Sequence, residues 1–76
     1  MISFYEWCIE KYYGVDNPKG DLAGDMKNDG GFPKESISKI EIEVYLMSKR
    51  ACSEAIKTFR RLYEREYIRE IVCKRS

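Results

Sequence analysis

The sequence predicts an all-α fold, and three observations predict it. Apolar side chains recur at three- and four-residue steps in four separate stretches. Three of those stretches follow a residue or pair that starts helices: Ser3 with Glu6, Asn17 before Pro18, and Ser38 with Glu41. Between the stretches fall residues that end helices, namely Gly14, the pair Gly30 and Gly31, and the dipeptide Phe32-Pro33.

The first helix is expected from about Phe4 to Tyr13. Ser3 and Glu6 have capping-box spacing, and Phe4, Trp7, Cys8 and Tyr12 share one side while Glu6, Glu10 and Lys11 fall elsewhere. Asn17 is a strong cap and Pro18 is tolerated in a first turn, so a second helix is predicted from Pro18 to about Asn28, burying Leu22, Ala23 and Met26. The two glycines break it, leaving Phe32 to plug the core. A third helix, capped by Ser38, is predicted to about Lys49, with Ile40, Val44, Leu46 and Met47 as its apolar side and Ile42 and Tyr45 widening it. Ala51-Cys52 reads as a short connection and Ser53 as the cap of a last helix carrying Ile56, Phe59, Leu62, Tyr63 and Tyr67. That helix is expected to reach about Val72, with residues 69–76 as a fraying tail of a single domain, 1–76.

Seventy-six residues bury only a thin core, so most large side chains are needed for folding and few are left to line a pocket. Phe4, Trp7, Leu22, Phe32, Leu46, Phe59 and Tyr63 are the expected core. Hydrophobic residues are 43% and charged residues 36% of the chain, a balance of ordered domains and not of disordered chains. No run approaches the roughly 20 apolar residues of a membrane span, and Glu6 and Glu10 interrupt the place of a signal peptide's apolar core, so a cytoplasmic location is expected. Three scattered cysteines, Cys8, Cys52 and Cys73, form neither a disulfide framework nor a metal-ligand pair. Cys8 is expected to be buried as a small hydrophobe, and Cys73, beside Lys74 and Arg75, to be exposed and oxidisable.

With no histidine, the chain lacks the commonest general base and metal ligand. Ser36, Ser38 and Ser53 read as caps or turn residues, without a base to activate them. Gly20 and Gly24 lie outside any phosphate-loop context and are read as sites of close helix packing. No catalytic residue, cofactor, metal or small-molecule substrate is predicted.

Taken together, the opening Ser3-Phe4-Tyr5-Glu6-Trp7, the block from Asn17 to Asp25, Phe32-Pro33, Glu41-Ile42 with Tyr45-Leu46, Ala51-Cys52, and the spaced Phe59, Tyr63 and Tyr67 resemble the YozE SAM-like family of small bacterial proteins. The likeness covers about residues 2 to 68. It implies a compact bundle of four to five short helices, similar to the sterile alpha motif, and brings no activity, cofactor or catalytic residue with it. The chain departs from the family pattern in its last helix, where Lys57, Arg60, Arg61, Arg65 and Arg69 stand in place of acidic residues.

Two charged surfaces are the candidate sites. Net charge is −3 over residues 1–37 and +4 over residues 38–76. Lys57, Arg61, Arg65 and Arg69 recur every four residues and, with Lys49, Arg50 and Arg60, make a cationic band suited to successive phosphates or to an acidic partner. The same band also reads as a solvated face, with Glu64 pairing to Arg60 or Arg61 and Glu66 to Arg69. Asp21, Asp25 and Asp29 form a candidate acidic interaction face, without the geometry of a calcium loop. Acidic and basic faces of neighbouring copies would attract each other, and head-to-tail association is a habit that the resemblance implies. Ile68, Ile71 and Val72 lie off the main stripe and are expected to cover either a neighbouring copy or the base of the bundle. The reading is a non-enzymatic interaction module that contacts a protein partner or itself; its alternative is a nucleic-acid-binding accessory protein.

Overall fold

The computed structural model describes residues 2–72, and all of their regular structure is helical. α1 spans Phe4–Tyr12, α2 Pro18–Asn28, α3 Lys39–Ser48 and α4 Ser53–Leu62, and the chain runs on from α4 into a wider, π-helical segment, Tyr63–Val72. The predicted caps stand where expected. The Ser3, Asn17 and Ser38 side chains accept from the backbone N–H of Glu6, Gly20 and Glu41 at 3.2, 2.8 and 3.2 Å. Ser53 is the exception. Cys52 takes the extended backbone of the cap position and gives no side-chain hydrogen bond, which makes Ser53 the first residue of α4.

Phe4 is the centre of the core. Its ring lies 5.0 Å from Phe59, 5.5 Å from Tyr67, 5.7 Å from Trp7 and 5.9 Å from Tyr63, so α1 is held against α4 and the π-helical segment by aromatic contacts. Cys8, Leu22, Ala23, Met26, Phe32, Ile42, Leu46 and Leu62 complete it. Of the expected core, Tyr63 alone is half-buried, because its hydroxyl reaches out to the Ile37 carbonyl at 2.6 Å. The connection before α3 is clasped to the start of α1, with Phe4 N–H donating to Ser36 and the Ser3 hydroxyl to the Lys34 carbonyl. The radius of gyration, 11.5 Å, matches the roughly 11 Å of a fully compact chain of this length.

The π-helical segment solves a problem of register. Residues four apart on an α-helix drift by about 40° per step, so Phe59, Tyr63, Tyr67 and Ile71 would swing away from α1. Closing hydrogen bonds over five residues instead of four lowers the rotation per residue and turns the drift back. Tyr67 therefore stays buried, its hydroxyl on the Ile2 carbonyl at 2.6 Å, and Ile68 and Ile71 pack half-buried against the base of the core.

Of the two glycines read as packing sites, one is such a site. A Cβ on Gly20 would lie 1.7 Å from the Val15 carbonyl oxygen, whereas one on Gly24 would meet nothing within 4 Å.

Candidate functional site

α3 presents a different face to the core than its sequence suggests. Ile42 and Leu46 are buried, one turn apart, while Ile40, Val44 and Met47 are 74%, 59% and 50% exposed. The apolar side expected from Ile40, Val44, Leu46 and Met47 is therefore corrected. Apolar residues surround this helix, so periodicity alone leaves its rotation undetermined. Tyr45 supplies the missing constraint. Its ring packs edge-on against Phe32 at 5.6 Å, and its hydroxyl donates to Asp29 at 2.6 Å. That bond pushes the Tyr45 hydroxyl up to about 12 and, with the Gly31 N–H, holds the Asp29 carboxyl below its usual range. With Tyr45 anchored on the α2–α3 connection, Ile42 and Leu46 turn inward. Ile40, Val44 and Met47 are left as an outer stripe, continued by Ile37, 45% exposed.

Charges flank the stripe unevenly. Glu35 and Glu41 lie exposed near its N-terminal end, Glu41 accepting from the Ser36 hydroxyl at 2.5 Å. Lys49 and Arg50 lie exposed at its C-terminal end, with the Lys49 ammonium 5.9 Å above the Tyr45 ring. Arg50 has φ +59°, a left-handed conformation. Its N–H bonds the Met47 carbonyl at 3.1 Å and the Ala51 N–H bonds that of Leu46 at 3.0 Å, the two closing bonds of a Schellman motif. Glycine is the usual residue there, and a side chain costs about 1 kcal/mol.

The other predicted cations divide into two groups. Arg60 leaves the band, donating to Glu43 on α3 from Nε at 3.1 Å and from Nη2 at 2.5 Å. Glu64 pairs with Lys39 at 2.8 Å and Glu66 with Lys19 at 2.7 Å, while Tyr12 also donates to Glu66 and Lys11 and Trp7 donate to Glu70. The expected partners within the last helix are thus replaced by partners on other elements. Among the described residues, Lys57, Arg61, Arg65 and Arg69 are exposed and make no ion pair. Burial alone would raise the Glu66 carboxyl, but the Lys19 and Tyr12 hydrogen bonds hold it below its usual range. Tyr12 is pushed up to about 12, by burial first and by Glu66 second.

The acidic face is also smaller than predicted. Asp21 and Asp25 are exposed on α2, but Asp29 lies past its end and is held by Tyr45 and Gly31. An open groove of about 850 Å³ runs between α2 and the start of α4, with Asp16, Asp21, Asp25 and Glu54 among its lining residues and, among the described residues, no Lys or Arg.

The family model for the YozE SAM-like fold matches residues 3–68. The chain belongs to that family. Comparison with curated proteins and with solved structures finds no match. The family stretch takes in the α3 stripe and all of the cationic band except Arg69. Among the described residues there is no cluster of three or more potential metal ligands, and no helix is long and apolar enough to cross a membrane. Cys8 is buried and its thiol pushed up to about 12, by burial first and by Glu66 second, which keeps it protonated and unreactive at neutral pH. Cys52 is exposed, and Cys73 lies outside the described residues.

Proposed function

We propose that this YozE SAM-like chain is a small non-enzymatic interaction module and that the outer face of α3 is where it meets a protein partner. The observation that carries the reading is the stripe of Ile37, Ile40, Val44 and Met47, exposed on a chain that has few apolar side chains to spare. A helix that offers one apolar face to its own core and a second to solvent is a helix with room for a neighbour. The test is to purify the tagged chain from the organism that encodes it, beside a Val44→Glu variant. Val44 is exposed, so the substitution should leave the melting temperature unchanged. A stoichiometric protein companion held by the wild type and lost from the variant is expected. Equal retention by both contradicts the reading.

A second reading, nucleic-acid binding, is favoured by one observation. Glu64, Glu66 and Glu70 are engaged by other elements, which leaves Lys57, Arg61, Arg65 and Arg69 exposed along the last helix. Binding of this kind weakens steeply with salt, and removing one phosphate contact, as in Arg61→Gln, lowers the log–log salt slope by about 1. Binding indifferent to salt would count against it.

A further inference from the structure

We propose that the partner of the α3 face is a second copy of this chain, packed antiparallel about a twofold axis near Val44. The inference rests on the interaction reading above and names its occupant. An antiparallel pairing about an axis between Glu43 and Val44 sets Ile40 of one copy level with Met47 of the other and Val44 beside its own equivalent, so the exposed stripe covers itself. The flanking charges obey the same symmetry. Exposed Glu35 and Glu41 at one end meet exposed Lys49 and Arg50 at the other, whereas a parallel pairing sets like charges together. Of the two cations near the acidic end, Lys39 is engaged by Glu43 and Glu64 and Lys34 lies 5.7 Å over the Tyr5 ring, so each has a contact elsewhere. The left-handed Arg50 fits the same arrangement, because a charge stands where the backbone favours glycine.

The contact is small. Ten residues of helix are about 15 Å long and about 10 Å wide, a face of about 150 Å² against the roughly 800 Å² per partner of a stable complex. The dimer is therefore weak and reversible, with dissociation in the range of about 10 µM to 1 mM.

Sedimentation equilibrium of the full chain, carried to about 1 mM, tests this with four variants. Val44→Glu is expected to be monomeric throughout. Glu41→Lys and Lys49→Glu are each expected to weaken dimerisation about tenfold, and the double variant Glu41→Lys/Lys49→Glu to return to within about threefold of the wild type, because the swapped pair is again complementary. A loss caused by unfolding does not recover in this way. A monomeric wild type at the highest concentration overturns the proposal, as does a dimer indifferent to Val44→Glu or a double variant no better than the singles. A monomeric wild type that still holds a different companion, lost in Val44→Glu, overturns self-association and leaves the interaction reading standing. Absence of both overturns the two together.

Discussion

Gly20 sits where the start of α2 folds back on the loop before it, and a methyl group there would collide with the Val15 carbonyl at 1.7 Å. Gly20→Ala is expected to destabilise the chain by about 1–3 kcal/mol, whereas Gly24→Ala, in open space inside the same helix, should stabilise it by about 0.5–1 kcal/mol. Urea midpoints measured side by side check both signs. The sequence places both glycines inside one predicted helix, Gly20 in its first turn and Gly24 in its interior, and the path of the loop at Val15, five residues before Gly20, is what makes the first intolerant of a side chain. Local chemistry was the legible part: Ser3, Asn17 and Ser38 cap with atoms of their own helix, so spacing revealed them. Arg50 was not legible, because no glycine marks the left-handed turn that ends α3. Arg50→Gly should raise stability by about 1 kcal/mol, equivalent to roughly 4–8 °C in melting temperature for a domain of this size. Titration follows from the carboxylates. Asp29, Glu43 and Glu66 have lowered folded-state values, so the stability they contribute is present above the unfolded carboxylate range and lost as pH falls through the folded one. Thermal melts below pH ~4.5 should fall, and less steeply in Glu66→Gln. Tyr12 and Tyr45 are raised to about 12, so their contribution is present below the unfolded value and lost as pH climbs toward 12.

At the scale of elements, α3 carries the sharpest contrast. Ile42→Ala should cost about 2–5 kcal/mol, and Ile40→Ala, one helical step away in kind but on the other face, should cost less than about 0.5 kcal/mol. Equal costs would mean that α3 is rotated from the position described. The boundaries of α1, α2 and α3 were legible in the sequence to within a residue, since caps and breakers are local signals. The rotation of α3 was not, because it is fixed by Tyr45 reaching Phe32 and Asp29 on a different segment. The widening of the last helix was equally hidden. It answers a tertiary demand, keeping Tyr67 under Phe4 and Trp7, and its one mark in the sequence is the four-residue apolar period from Phe59 to Ile71, which by itself does not tell a widened helix from an α-helix whose apolar stripe drifts.

For the whole molecule, the charge division seen in the sequence is reorganised by folding. Arg60, Glu64, Glu66 and Glu70 find partners on other elements up to 63 residues away, which sequence spacing could not show. The core was largely legible because aromatic residues in so small a chain must be buried to fold it. The outer stripe of α3 became visible only as the remainder, the apolar side chains left over once the core was complete. The measurement that tests its role most directly is methyl NMR of the chain, labelled at Ile, Leu, Val and Met, as concentration is raised from about 0.05 to about 1 mM. Shifts and broadening confined to Ile40, Val44 and Met47, with Ile42 and Leu46 unmoved, are the expected result. Changes centred instead on the last helix, or spectra independent of concentration, would contradict the self-pairing of this face.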